Sequence, residues 1–281
     1  MNHHLIPIFL KEVRLERFSK LIMILFTTVP AFSASIDTTT IVIVGTVHNK
    51  TEKFTEKTLY NIIERVNPDL ILAELDSSFF TQSMSIKSEL VNASLENTVV
   101  TDYKKTHNIL LRPYDIEGRN KIYSDNKYFE QQKELSKSLN KAIQDSLLPK
   151  ESIILLDAIQ RFDQISYSFS SEFPNVVNST ACNVSMEAKQ YFANEGMIKI
   201  VASVSDLKQF TKFAIFKRDF WIKRNDAMIN NILNWQKVLH PKTILVLCGF
   251  EHKYYLFNTI TKHCTSENFK IKEYWTYNPG L

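Results

Sequence analysis

The feature that most constrains this chain is a four-residue pattern, Gly-x-x-His, that occurs at the end of an apolar, strand-like run near each end of the sequence. The run at 41–47 leads into His48, and the run at 243–249 leads into His252, with a glycine three residues before each histidine. Each copy therefore has the order strand, Gly-x-x-His, helix. The carboxyl ends of parallel strands share one edge of a sheet, where open α/β folds bind ligands. The pattern predicts that two imidazoles, distant in sequence, meet at one crevice.

Strand and helix signals alternate along much of the chain in the order typical of an α/β protein. The other predicted elements outside the middle of the chain are a helix at 53–66, a strand at 70–75, a helix at 82–106, a strand at 109–112, a helix at 218–239, a helix at 252–263 and an edge strand at 271–277. We therefore expect an α/β fold with a mostly parallel central sheet flanked by helices. A helix-rich insertion at about 121–215 interrupts it, with its most loop-like part at 172–183.

Residues 1–34 differ in composition from the rest of the chain. Basic residues precede an apolar run, Leu21–Phe26, and small residues follow at 31–34. This order is typical of a secretory signal, and a short membrane anchor is the alternative. We expect 1–34 to be a signal peptide or N-terminal anchor and 35–281 to be one domain. The protein is then exported to the periplasm, the cell surface or the medium, and contacts a membrane only through an uncleaved N-terminal segment.

The charge pattern argues against nucleic acid as a partner. Lysine and arginine number 34 against 30 acidic residues, a formal net charge of +4, and no dense basic run occurs. Phosphate backbones are bound by clustered basic side chains, so we expect no nucleic-acid partner.

Several familiar catalytic and ligand motifs are missing from the sequence. No Gly-x-Ser-x-Gly elbow, Walker loop, GxGxxG fingerprint or His-Glu-x-x-His motif occurs, so serine hydrolase, kinase and Rossmann oxidoreductase chemistry lose their main support. The spacing of the three cysteines matches no zinc motif. Cys248 lies in an apolar strand and is expected to be a core thiol. An exported protein could pair Cys182 with Cys264, and the sequence leaves that question open.

Glu74 closes the predicted strand at 70–75 and adds a carboxylate to the two histidines. A carboxylate at the end of a buried strand is costly to desolvate without a partner. It is therefore a salt-bridge or helix-capping residue, a metal ligand, or a general base for a water nucleophile. His48, His252 and Glu74 together suit a divalent transition metal with open positions for water, such as Mn, Co or Zn.

Further charged residues lie near the predicted crevice. Asp115 and Arg119 follow the third strand, and both are candidate substrate-binding residues. Arg119 is either a clamp for a carboxylate or an oxyanion of the substrate, or part of a surface ion pair. Arg224 lies on the long helix and is either exposed, or orients Glu74, or binds substrate. Glu251, inside the second Gly-x-x-His pattern, is a spare carboxylate.

At these residues the sequence resembles the TraB/PrgY/GumN family, which includes the TIKI proteins. The resemblance rests on IVIVGTVH at 41–48, PDLILAELD at 68–76, Arg224-Asn225-x-x-Met228, and LVLCGFEH at 245–252. It covers the two ends of the mature chain, and residues 120–215 contribute nothing to it. The wider group is similar to erythromycin esterase-like and ChaN-like proteins, which share a related α/β core.

The resemblance implies a hydrolase activated by a divalent ion and acting on a peptide or amide bond. The paired histidines of the family fall on His48 and His252, its strand-end glutamate on Glu74, and its helix arginine on Arg224. The bulky pair at 250–251 departs from the small residues common there. Two alternatives remain: a non-catalytic protein that binds and sequesters a peptide, and a metal-independent, esterase-like hydrolase in which a histidine acts directly on water. The expected partner is a peptide or small-molecule substrate.

Overall fold

The computed structural model describes residues 38–264 and 269–276 of the chain. Within those residues a five-stranded sheet, parallel at every pairing, has the order β3-β2-β4-β1-β5. The strands are β1 (Thr39–Thr46), β2 (Leu70–Ala73), β3 (Leu110–Pro113), β4 (Thr243–Gly249) and β5 (Phe269–Lys272). The expected parallel α/β sheet is confirmed, and β5 is an edge strand. The predicted signal or anchor at 1–34 lies outside the described residues.

Helices surround this sheet and form the middle of the chain. They are α1 (Glu56–Val66), α2 (Leu95–Thr106), α3 (Arg119–Asp125), α4 (Tyr128–Gln144), α5 (Lys150–Ser170), α6 (Pro174–Val177), α7 (Thr180–Tyr191), α8 (Met197–Ser203), α9 (Thr211–Leu239) and α10 (Phe250–His263). Among the helices of the described part of the chain, none combines the length and the apolar composition that crossing a bilayer requires.

The three central strands, β2, β4 and β1, are buried at every position because both faces of the sheet are covered. In β1, Val42 and Val44 pack into a cluster with α1 and α2, whereas Ile41 and Ile43 pack into a second cluster with α9 and α10. This alternation follows from the two-residue period of a strand. Glu74 follows β2 with the parity of Leu72, a residue of the second cluster, so it continues the α9 side of the sheet.

The helical insertion is confirmed and has a core of its own. Leu135 and Leu139 of α4 pack with Ile159 of α5, and with Ile200 and Val201 of α8, away from both sheet clusters. The insertion is also joined to the start of α10, where the Glu251 carboxylate accepts hydrogen bonds from α5 and α7. Its donors are Ser166 Oγ at 2.9 Å, Lys189 Nζ at 2.5 Å and Gln190 Nε2 at 3.1 Å. The Glu251 carboxylate therefore links the helical insertion to α10 and is not a free carboxylate.

Several predicted boundaries are wrong for identifiable reasons. The helix expected at 82–106 begins only at Leu95, where Ser94 caps it, and the preceding residues form turns and a short 3-10 helix, Ser88–Leu90. The loop expected at 172–183 is largely helix, because Pro174 starts α6 and Ser179 caps α7. Proline and serine there begin helices, whereas sequence reasoning assigned them to a loop.

Smaller differences concern the last two elements and the cysteines. α10 begins at Phe250, directly after β4, and the final strand is Phe269–Lys272 rather than 271–277. Cys182, Cys248 and Cys264 are all free thiols, so Cys182 and Cys264 are not paired.

The topology places a crevice between β1 and β4. These strands are neighbours, and the connections that leave them run toward opposite edges of the sheet. Such a switch point opens a cleft at the carboxyl ends of the strands. The register pairs Thr46 with Gly249, so both strands end at the same level, and β2 ends slightly earlier, with Ala73 opposite Leu247.

Gly45 is required for the approach of α10 to β1. A methyl group at Gly45 would lie 2.9 Å from Phe250 Cα and 3.0 Å from its Cβ. The Asn178 side chain bonds the backbone of Gly45 on both sides, accepting from its amide at 2.7 Å and donating to its carbonyl at 2.9 Å. The first glycine of the repeated pattern is therefore explained by packing.

We predict that Gly45→Ala lowers the free energy of unfolding by about 1–3 kcal/mol, because overpacking against backbone atoms cannot be relieved by a rotamer change. Gly196→Ala is the matched control, since its nearest neighbours lie at 3.8 Å in a helical segment. Urea unfolding of both variants measures this difference. Equal stability of the two variants would contradict the close packing of α10 on β1.

Candidate functional site

Four neighbouring strand ends each supply one polar side chain to the same edge of the sheet. In sheet order these are Asp115 after β3, Glu74 after β2, His252 in the first turn of α10 after β4, and His48 after β1. The two Gly-x-x-His segments differ locally, because α10 starts immediately after β4, whereas a loop separates His48 from α1. The structure therefore brings together residues from both ends of the chain, together with Arg224 from α9.

The Arg224 guanidinium lies at the centre of this cluster and contacts three of its members. Its Nη2 donates to Glu74 Oε1 at 2.6 Å, and its Nε and Nη2 donate to the two Asp115 carboxylate oxygens at 2.8 and 2.9 Å. Its Nη1 lies 3.1 Å from His252 Nε2. The residue is 7% exposed, so these contacts replace water around a buried charge. Arg224 thus orients the cluster rather than facing solvent.

The Glu74 carboxylate is held on both oxygens. Besides the bond from Arg224, its Oε2 accepts the Gly249 backbone N–H at 2.6 Å. Burial by itself would raise the pKa of Glu74. The pKa is instead lowered to about 2 by interactions with the positively charged forms of His252, Arg224 and His48, and by the hydrogen bond from the Gly249 amide. Glu74 is therefore ionised at neutral pH and is a weak proton acceptor.

His252 is a buried imidazole with both ring nitrogens engaged. Asn225 Nδ2 donates to the Trp221 carbonyl at 2.8 Å, so its Oδ1 is left to accept from His252 Nδ1, also at 2.8 Å. His252 Nε2 is then the acceptor for Arg224. Burial lowers the pKa of His252 to about 4, because the loss of water around the ring outweighs the raising effect of the Glu74 charge, and the Arg224 charge lowers the pKa further. The ring also stacks on Trp221, with 4.3 Å between centroids.

His48 differs from His252 in being open to solvent. Its side chain is 64% exposed, and its Nδ1 lies 3.3 Å from Glu96 Oε1. The hydrogen bond to Glu96 raises the pKa of His48, against the opposing effect of burial. Its Nε2 faces the space left by the missing side chain of Gly249. A methyl group there would lie 3.2 Å from His48 Nε2 and 3.6 Å from Glu74 Oε2.

Two cavities meet at His48. One, of about 430 Å³, is lined by Val47, Gly249, Phe250 and His252 among others, and the second, of about 390 Å³, includes Glu74, Glu96 and Arg119. Both have the size of small-molecule sites. The bulky pair at 250–251, where the family that the sequence resembles commonly has small residues, does not close the crevice. Phe250 forms part of the wall of the first cavity.

Asp115 and Arg119, which the sequence suggested as substrate contacts, have different surroundings. Asp115 is 1% exposed, and its carboxylate is occupied by Arg224 and by Arg119 Nη1 at 2.9 Å. It positions the two arginines and lines neither of the two cavities. Arg119 lines the second cavity, and its buried Nε has no hydrogen-bond partner among the described residues. Of the two, Arg119 is the one placed to meet a ligand.

The contacts do not fit the predicted metal site formed by His48, His252 and Glu74. A metal ligand needs a free lone pair, and the Nε2 of His252 accepts from Arg224 while its Nδ1 carries the proton. The guanidinium that bonds Glu74 and His252 already supplies the positive charge between them. Within the described ranges no group of three or more His, Cys, Asp or Glu side chains is arranged to hold an ion. A divalent ion therefore remains a prediction, and we base no step on it.

Sequence reasoning gave no role to three residues of the site: Glu96, Asn225 and Trp221. Asn225 and Arg224 had a usable signal, because they lie four residues before Ile229 and Met228 on the apolar stripe of α9. When two polar residues continue the buried apolar stripe of a helix, their side chains are expected to have hydrogen-bond partners inside the fold. Glu96 had no such signal, because its contact with His48 depends on how α2 docks. Asp76, in contrast, caps the turn that follows it.

We predict that Arg224→Met lowers the free energy of unfolding by about 3–5 kcal/mol, because it leaves buried carboxylates without their cation. Arg218→Met is the matched control on the same helix, since Arg218 pairs with Asp219 and Glu195 near the surface and its loss costs about 1 kcal/mol or less. Chemical denaturation measures both changes. Similar losses in the two variants would contradict the central position of Arg224.

We also predict a pH dependence of stability that His252→Asn removes. The folded-state pKa of about 4 lies below the ordinary value of 6.5, so the unfolded chain binds the proton more readily. The contribution is complete above pH 6.5 and is lost as the pH falls toward 4, on the order of 2–3 kcal/mol. Urea unfolding between pH 7 and 4 measures it. His240→Asn, at the exposed end of α9, is the control and keeps the wild-type slope. An unchanged slope in His252→Asn would refute a buried neutral imidazole.

Comparisons with known proteins add no assignment to this geometry. The chain matches no protein-family model, no curated protein and no solved structure. The resemblance to the TraB/PrgY/GumN family therefore stays a prediction that rests on the four short segments quoted above.

Proposed function

We propose that this chain is a hydrolase that cleaves an amide or ester bond, with His48 as the general base that activates water. The observation that carries the proposal is the difference between the two histidines. His252 has both nitrogens bonded and is buried, whereas His48 is exposed at the junction of two cavities with its Nε2 facing the crevice. Of the other two groups suggested by the sequence, Glu74 is a weak proton acceptor because its pKa is lowered to about 2, and His252 is buried, so His48 is the accessible base.

The reaction follows from this placement. His48 Nε2 accepts a proton from a water molecule while the water oxygen attacks the carbonyl carbon of the substrate. The carbonyl electron pair moves to its oxygen, and a tetrahedral oxyanion forms. As this intermediate collapses, the bond to nitrogen or oxygen breaks, and the proton on His48 is transferred to the leaving amine or alcohol. The products are a carboxylic acid and that amine or alcohol.

The arginines and carboxylates have supporting roles in this scheme. Arg119 lines the cavity that contains Glu74, and its guanidinium is the candidate donor to the oxyanion or to a substrate carboxylate. Arg224 and Asp115 hold Glu74 and Arg119 in position. Glu74, with its lowered pKa, keeps a fixed negative charge near His48, which favours the imidazolium that forms during the reaction.

The sequence resemblance supports an exported enzyme of the TraB/TIKI type with a peptide substrate. It also favours a metal-dependent reaction, and here the contacts support the metal-independent alternative instead, because Arg224 occupies the lone pair of His252. The same crevice fits a peptide or a small amide or ester, so both classes belong in the test. The sequestering alternative gains no specific support from the site.

We predict that His48→Gln lowers kcat/KM by about 100- to 10,000-fold, the usual contribution of a general base. The assay uses p-nitrophenyl acetate and a mixture of defined peptides followed by mass spectrometry, with and without EDTA. His107→Gln is the matched control, because His107 also pairs with a glutamate, Glu64, at 3.1 Å, but lies away from the crevice.

The outcomes of this assay distinguish the three hypotheses about the site. Turnover that survives EDTA and requires His48 supports metal-independent hydrolysis. Loss of turnover in EDTA, restored by Mn²⁺, Co²⁺ or Zn²⁺, would establish the metal-dependent reading instead. Stoichiometric peptide binding without product would overturn catalysis altogether.

A further inference from the structure

The first turn of α2 docks directly on His48. The Leu95 amide donates to the His48 carbonyl at 2.9 Å, and Ser94 caps the helix at this point. The next residue, Glu96, lies beside the imidazole, with Oε1 3.3 Å from His48 Nδ1. Two consecutive residues of α2 therefore contact the backbone and the ring of the proposed base.

The Glu96 carboxylate is itself held in place from β1. Thr46, two residues before His48, has its Oγ1 2.5 Å from Glu96 Oε1 and 2.9 Å from the Cys248 carbonyl. The side chain of Glu96 is 12% exposed, and its Oε2 has no hydrogen-bond partner among the described residues. In the described part of the chain, the only ion pair recorded for Glu96 is the one with His48.

We infer that Glu96 is the positioning residue of His48: it accepts the Nδ1 proton, which leaves Nε2 unprotonated and directed at the crevice. This inference rests on the proposed hydrolysis and extends it to a residue that neither the sequence patterns nor the resemblance assigned. The carboxylate fixes the tautomer and the ring orientation, and its charge stabilises the imidazolium formed when Nε2 takes the proton from water. Glu96 acts through His48 and has no contact with the reacting atoms.

A purely structural role for Glu96 predicts a different outcome. An acidic residue in the first turn of a helix interacts favourably with the helix dipole, and its loss would affect stability alone. The two roles are distinguished by a readout on His48 itself, because the tautomer of the imidazole changes only if Glu96 accepts its proton.

The test is ¹⁵N NMR of the imidazoles in the full chain, with the His48 signals identified by their absence in His48→Gln. In the wild type at pH 8 we expect Nδ1 protonated and Nε2 bare. In Glu96→Leu we expect the Nε2–H tautomer to become the major form, and kcat on p-nitrophenyl acetate to fall about 100-fold or more, with KM within threefold. Glu96→Gln keeps an acceptor but no charge, so we expect the Nδ1–H tautomer with an intermediate kcat.

Glu64→Gln is the matched control, because Glu64 pairs with His107 and should leave the His48 signals and kcat unchanged. A Glu96→Leu protein that retains the wild-type tautomer, or retains kcat, overturns the inference. Should Glu96→Leu fail to fold by circular dichroism, Glu96→Gln carries the test, and a kcat within threefold of wild type overturns it. A wild type with the expected tautomer but no hydrolysis supports the Glu96–His48 pairing and overturns the proposed function, so the two failures are distinguishable.

Discussion

The site depends on one buried cation, the guanidinium of Arg224. Burying two carboxylates at the end of a parallel sheet is unfavourable unless a cation and hydrogen bonds compensate for the lost water. Arg224 supplies both, bonding Glu74, Asp115 and His252 from a single planar group. The planar fork of arginine can do this, whereas a lysine offers a single point charge.

This arrangement divides the polar residues at the strand ends into two kinds. Glu74, Asp115 and His252 are bonded to Arg224, so their geometry and charge are fixed by the fold. His48 is not bonded to Arg224; it is exposed at the crevice and contacts α2 through Glu96. A fixed electrostatic frame beside one accessible base is what hydrolysis of a carbonyl compound requires, because the frame need not reorganise as charge develops. This is the physical reason for proposing His48 as the base.

Sequence reasoning predicted those parts of the fold that depend on local patterns. β-branched runs ending at glycine predicted β1 and β4, and parallel pairing then predicted that His48 and His252 would share an edge. It could not predict which nitrogens would be free, because that depends on Arg224 reaching across from α9. The contact between Glu96 and His48 was equally hidden, since it is set by how α2 docks. Residues that begin helices, such as Pro174 and Ser179, were mistaken for loop residues because the same residue types serve both purposes.

The central claim is that burial, together with the adjacent Arg224, keeps His252 neutral, and that His48 is the proposed proton-accepting base. The most direct measurement is a pH titration of both imidazoles by NMR in the wild-type protein. The account predicts that His252 titrates at about pH 4, well below the ordinary 6.5, and that His48 titrates above that ordinary value. A titration of His252 near or above 6.5, or of His48 below it, would contradict the account.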